Sequence, residues 1–442
     1  MIPTEAALSE TPEPVGAMSH DDYYTVATKS LPGAGLGSYS LPDEVRFVIH
    51  KGEGSRLQDV RGRWYIDYVG GAGALVLGHA FPTVVDAVKD QAERGIHFFG
   101  TLNEQCIQLA EQLVPLIPCA DRIAFTTTGS EATAYAMRTA RAATGRSKVL
   151  KFEGAFHGNH DYSAFSVTPT ALSNYPQGRP ETGGLPANMV DNVLVSPFND
   201  LDTVRRIVEE NRDDLAAIIV EPVQRIIFPK EDFLPGLRQI CDDNDVLLIF
   251  DEVVTGFRLA LGGAQEYFGV LPDLASYGKI VGGGGPLGFV GGKAEYMNLI
   301  NPRNRGQGNY SYVNGTLHGN PVAASAGLAT LAELKKPSFY KDLHALADDV
   351  CKACQDVLDK NNIPAIAAGK ASLWQILFMD RAPVSHADIM NADQASGRAF
   401  DLAQMHKGLY VLPNVRRFVS AVHTGQDIED TVRALDAACK SI

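Results

Sequence analysis

The chain has 442 residues, 45% of them hydrophobic, enough to bury a large core and to exclude a disordered protein. Its 39 Lys and Arg against 52 Asp and Glu leave a formal charge of -13, which weighs against a nucleic-acid or anionic-membrane surface and favours small-molecule chemistry. Six scattered cysteines, with no visible signal peptide or bilayer-length apolar run, make a reducing cytoplasm the expected compartment. Cys351 and Cys354 form a CxxC inside the helical pattern ADDVCKACQDVLDK; no second pair or histidine cluster completes a metal site, so no metal is expected.

In chain order, residues 1–75 comprise a Pro-, Ser- and Gly-rich arm of about 40 residues, with one helix at HDDYYTVATKSL, followed by VRFVIHKGEGSRLQDVRGRWYIDYV. The latter alternates apolar and polar residues around GEG and RGR, the pattern of a short antiparallel meander. Over residues 76–320, helical patterns such as SEATAYAMRTARAAT and LDTVRRIVEEN alternate with short apolar runs: RIAFTT, KVLKF, NVLVS, AAIIVEP, VLLIFDE, LASYG and GFVGG. That alternation predicts an α/β domain, a parallel sheet covered by helices. Residues 321–442 supply two long helical stretches, the strand SLWQILFM, a helix at QASGRAFDLAQMH and a closing helix at DIEDTVRALDAAC. They predict a smaller α+β domain completed by the N-terminal meander.

Four short stretches carry chemistry. In TTTGSEATAYAMRTAR, Gly129 and Ser130 lie between a strand and a helix, where free backbone N–H groups make a phosphate seat; Ser130 followed by Glu131 also suits an ordinary N-cap. In KFEGAFHGNH, Phe156 and His157 follow a strand, placing an aromatic where it can stack on a planar ring, although Phe156 also suits the core. LLIFDEVVTGFR sets Asp251 and Glu252 directly behind a buried strand, a costly place for an acid unless a nearby cation uses its charge. In DLASYGKIVGGGGPLGFVGG, Lys279 sits just past a strand and before Gly282–Gly285, either snorkelling outward or held in a cleft where its amine acts as a nucleophile. The glycines match neither a dinucleotide fingerprint nor a Walker loop. A phosphate seat, a stacking aromatic, a strand-end acid and a cleft lysine are together what pyridoxal 5′-phosphate (PLP) requires. Asp251 would then face the protonated pyridine nitrogen, and Lys279 would form the Schiff base and shuttle the proton.

From about Val45 onward the sequence resembles the class III PLP-dependent aminotransferases of fold type I. The resemblance is carried by GSEA at Gly129–Ala132, FHG at Phe156–Gly158, EP at Glu221–Pro222, DEVVTGFR at Asp251–Arg258, GK at Gly278–Lys279 and GTLHGNP at Gly315–Pro321. YIDYVGGAGALVLGHAFP, KFEGAFHG and FVSAVHT are similar to the glutamate-1-semialdehyde aminomutase subgroup and related ω-transaminases. The resemblance implies that Gly129 and Ser130 hold the phosphate, that Phe156 stacks on the ring with His157 beside it, and that Val254 lies against the ring. It also implies that Glu221 stands near the cofactor, and that Thr316 reaches the phosphate of a neighbouring subunit in a homodimer with shared sites. Two positions depart from the mutase pattern: Ala72 stands where the mutase carries a tryptophan, and Gly285 lengthens the usual three-glycine run. Arg416, with Arg225 second and Arg417 adjacent to the former, are candidates for reading a substrate carboxylate.

The expected activity is amino transfer from an amine or amino acid to a keto acid or aldehyde. An aminomutase, a racemase or decarboxylase on the same scaffold, and a catalytically dead binding protein are the alternatives.

Overall fold

Two apolar runs, LAAIIV at Leu215–Val220 and LLIFD at Leu247–Asp251, are buried at every position, as strands are when helices cover both faces of their sheet. The computed structural model describes residues 17–37, 39 and 41–441. A meander of β1 (Ile49–Glu53), β2 (Arg56–Asp59) and β3 (Trp64–Asp67) precedes seven strands. These are β4 (Arg122–Thr126), β5 (Lys148–Phe152), β6 (Val193–Ser196), β7 (Leu215–Val220), β8 (Leu247–Asp251), β9 (Leu274–Tyr277) and β10 (Gly288–Gly292). They form one sheet in the order β4-β10-β9-β8-β7-β5-β6. Strands β5 to β9 pair in parallel, whereas β10 runs antiparallel to β9 and β4, so the sheet is mostly parallel, as expected for this fold class. The physical reason is the connection: Gly278–Leu287 holds a single helical turn, Lys279–Gly282, and a parallel return needs a crossover of about a dozen residues or more, usually a full helix.

Strand periodicity decides which helix each residue meets. Ala217 and Ile219 pack with Ala132, Ala136 and Met137 of helix Gly129–Thr144, whereas Ile218 and Val220 pack in the cluster that holds Val204, Ile207, Leu234 and Leu237. The C-terminal part contributes β11 (Ile366–Lys370), β12 (Leu373–Leu377), β13 (Leu409–Tyr410) and β14 (Arg417–Phe418). Strands β11, β12 and β14 make a small antiparallel sheet, and β13 adds in parallel to β3. The meander is thereby tied to the C-terminal half. Ser55 Oγ and Arg56 Nε donate to the Asp427 carboxylate at 2.9 Å each, and the Tyr68 hydroxyl meets Thr431 Oγ1 at 2.7 Å. Among the described residues no helix is long and apolar enough to cross a membrane.

Glu252 has found neutral donors instead of a cation. Its carboxylate accepts from Thr255 Oγ1 (2.5 Å), the Ala264 N–H (2.9 Å) and the Gln265 N–H (3.1 Å). It thereby pins the start of helix Gly263–Phe268 beneath the site. Because both backbone partners donate, an amide at this position would turn an N–H toward an N–H. Glu252→Gln is therefore expected to cost roughly 1–3 kcal/mol of stability, read as a lowered denaturant midpoint at unchanged slope; a midpoint equal to wild type would show that the donors do not need the charge.

Candidate active site

Five strands deliver their following residues to one edge of the sheet, the crevice outside the carboxyl ends where parallel sheets receive ligands. Helix Gly129–Thr144 follows β4; its N-cap is Thr128, whose hydroxyl accepts from the Glu131 N–H at 3.1 Å while Glu131 reaches back to the Thr128 N–H. Ser130 is thus inside the first turn and does not cap it: its hydroxyl accepts from the Asn159 N–H at 2.6 Å. The capping box leaves Gly129 and Ser130 lining the cavity at the positive end of a sixteen-residue helix, a seat for an anionic phosphate. Gly158 makes this crossing possible, because a Cβ there would stand 2.3 Å from Ser130 Oγ and 2.6 Å from its Cα.

Asp251 ends β8 with its carboxylate 4% exposed. Oδ2 meets His157 Nδ1 at 2.7 Å, and Oδ1 accepts from the Val253 N–H at 3.1 Å and from Ser276 Oγ at 3.3 Å. These partners fix one orientation of the acid toward the cavity. Phe156, next to His157, is 40% exposed and lines the same cavity. Glu221 follows β7 and accepts from the Phe156 N–H at 3.0 Å and the Arg225 N–H at 3.2 Å, so it braces the aromatic loop.

Lys279 follows β9 in the left-handed region at φ +54°, a conformation that costs about 1–3 kcal/mol and persists where surrounding contacts enforce it. Burial pushes its amine down to about 8; Arg416 pushes the same way, while Asp251 and Glu221 oppose. A lysine near neutrality spends an appreciable fraction of its time as the free base, the form that attacks a carbonyl.

Nine of the residues singled out in the sequence line one cavity: Gly129, Ser130, Phe156, His157, Glu221, Asp251, Val254, Lys279 and Arg416. Three stand apart from it. Thr316 is exposed and lines an adjoining depression with Thr127, Thr128 and Ser130. Arg225 turns aside: its Nε donates to the Gly154 carbonyl at 3.0 Å, and its guanidinium lies 5.8 Å from the Phe156 centroid. Ala72 is exposed in a left-handed turn. Arg416 and Arg417 part company by strand alternation. Arg417 pairs inward with Asp401, whereas Arg416 reaches the cavity and donates to the Arg225 carbonyl at 2.9 Å.

Sequence reading overlooked two residues around the site. Lys151 of β5 is 1% exposed, and its ammonium donates to the carbonyls of Ala155 (3.0 Å), Ser163 (3.2 Å) and Phe165, gathering the loop that carries Phe156 and His157. A lysine inside a strand buried on both faces was the available signal. Thr133 is the second; its hydroxyl donates to the His157 carbonyl, and nothing in the SEATAYAM pattern sets it apart from a helix residue.

The donor set fits a phosphorylated pyridine. An anion seat, an aromatic face, a braced buried acid and a lysine with a lowered amine pKa converge on one cavity. Comparison with known proteins agrees. The family profile described as Aminotransferase class-III matches residues 39–427. A glutamate-1-semialdehyde 2,1-aminomutase of Methanocaldococcus jannaschii is 41% identical over 395 residues, covering 88% of this chain and 90% of that protein. Among solved structures, an ω-transaminase from Sphaerobacter thermophilus superposes with a TM-score of 0.89 at 33% identity, covering 96% of this chain and 98% of that one. A transaminase with PLP bound superposes at 0.86 with 26% identity, again over 96% and 98%. The chain belongs to the class III aminotransferase family, whose cofactor is pyridoxal 5′-phosphate.

Proposed function

We propose that this enzyme transfers an amino group between two different molecules, from an amine or amino acid to a keto acid or aldehyde. The observation that carries this reading is the turn Gly70, Gly71, Ala72 and Gly73, a run of left-handed backbone at φ 53°, 62°, 57° and 87° with one methyl as its largest side chain; it stands outside the cavity lining and packs through Gly73 on Phe418, the ring whose centroid lies 5.7 Å from Arg416. A mutase must retain a single diamino intermediate through both half-reactions, which favours a tight, closed pocket. A transaminase must release one product and admit a second substrate, which favours an open wall. Arg416 supports an amino-acid or keto-acid partner: it lines the cavity with Lys279, and no described carboxylate forms an ion pair with it. The second reading, a 2,1-aminomutase, is supported by the 41% identity to the Methanocaldococcus enzyme.

PLP, when bound, supplies an electron sink that lets a proton leave the substrate carbon. Gly129, Ser130 and the helix end behind them would bind the phosphate, and Phe156 would stack on the ring. Asp251, oriented by His157, would hold a proton on the ring nitrogen. Lys279 Nζ would hold the cofactor and then move the proton at the reacting carbon, and Val254 would pack against the ring. The depression at Thr316 opens beside the phosphate seat, so we assign it to the cofactor of a second copy in a homodimer with shared sites.

Three measurements check this. Supplying glutamate-1-semialdehyde alone, and separately an amine with pyruvate, is expected to give transfer only in the second mixture; isomerisation of the first with no transfer in the second selects the mutase. Asp251→Asn is expected to retain cofactor yet lose on the order of 10²–10⁴ in kcat, because a neutral amide cannot hold the ring nitrogen protonated; a loss under about tenfold, 1.4 kcal/mol, would make the acid merely structural. In the apoprotein, the rate of PLP capture, followed as the rise of its visible band, is expected to climb with pH and level off above about 8, since only the neutral Lys279 amine attacks. A rate still rising near pH 10 would show an unperturbed lysine.

A further inference from the structure

Arg258 closes the DEVVTGFR stretch and is fully buried, 0% exposed, yet no described carboxylate pairs with it. An unpaired buried cation is costly unless several groups use it. Here three stretches of chain do. Nη1 donates to Ser372 Oγ at 2.9 Å in the turn between β11 and β12, Nη2 donates to the Gly73 carbonyl, and the guanidinium lies 4.9 Å from the Phe418 centroid. Phe418 in turn touches Gly73, where a Cβ would stand 2.6 Å from the ring, and Arg416 lies 5.7 Å from the same centroid. One aromatic ring is therefore shared by the buried arginine and the cleft arginine, and Gly73 is fastened to that ring and to Arg258. Burial, and then the nearby Arg416 cation, work against the Arg258 charge.

We propose that Arg258 is the positioning residue for carboxylate recognition: by clamping Gly73 and Phe418 it fixes the ring that sets where Arg416 stands, without itself touching substrate. This rests on the reading of Arg416 as the carboxylate reader. The planar fork matters, because two nitrogens must reach acceptors on separate segments while the π face covers a ring. An ammonium is a single point and cannot span them.

The test uses the holoenzyme with Arg258→Lys and, as a variant that leaves both arginines in place, Phe418→Leu. Each is assayed with an amino-acid donor and with a primary amine lacking a carboxylate, and binding of the unreactive carboxylate pentanoate is followed through the cofactor's visible band. Both variants are expected to raise KM for the amino acid and Kd for pentanoate by about tenfold or more, with KM and kcat for the amine within about twofold. Equal losses for both donors, or none for either, would overturn the proposal. So would a Phe418→Leu enzyme that binds pentanoate normally, whether or not Arg258→Lys folds. Arg416→Ala separates the two layers: if it leaves the amino-acid KM unchanged, the reading of Arg416 fails and the clamp falls with it. If it raises that KM while the clamp variants do not, the clamp alone fails.

Discussion

A carboxylate at the end of a strand buried on both faces is the constraint around which the site is arranged. Asp251 cannot be solvated from the sheet side, so its oxygens are met by the His157 ring, the Val253 amide and the Ser276 hydroxyl. Meeting it requires the loop after β5 to fold back over the end of β8. The loop is gathered there by the buried Lys151 ammonium and by the Glu221 carboxylate beneath Phe156. Gly158 then lets the same loop cross the first turn of helix Gly129–Thr144, which brings the anion seat within the same cavity as the acid. Each of these groups has an ordinary reading on its own. Their convergence follows from one buried charge that had to be answered.

Much of this was legible in the sequence because parallel sheets place strand-following residues at a common edge. The apolar runs ending at Asp251 and before Lys279, and the turn before helix Gly129–Thr144, mark positions that the topology forces together whatever the exact crossing angles. Two things hid. The partners of Glu252 are backbone N–H groups 12 and 13 residues further on, and amides carry no signature in the letters. The Arg258 clamp spans 114 and 185 residues to its acceptors, a separation that no local pattern encodes. The antiparallel β10 was hidden for a third reason: its residues, GFVGG, are as apolar as those of its parallel neighbours, and only the short connection before it decides direction.

The relatives carry both activities: an aminomutase is 41% identical in sequence, and the superposed structures include an ω-transaminase and an aminomutase. The two activities share the cofactor chemistry, so the groups at the phosphate and the ring do not separate them. What separates them is whether the intermediate is kept or released, and that is a property of the walls. In this chain the turn Gly70–Gly73, which packs on Phe418 beside Arg416, is backbone with almost no side chain, held by Asp67, whose Oδ1 accepts from the Val69 and Gly70 N–H groups at 2.7 and 2.9 Å.

The cavity is assembled unevenly along the chain. Every lining residue from the phosphate seat to the lysine falls between Gly129 and Lys279, whereas Arg416 arrives from the far side of the C-terminal sheet. Strand β14 is two residues long and hangs on β12 by a short ladder. With Arg416 in its proposed role, cofactor retention and substrate choice draw on separable stretches of gene. In that role, drift or recombination confined to the last hundred or so codons would retune substrate choice while the sheet-borne half keeps its grip on the coenzyme.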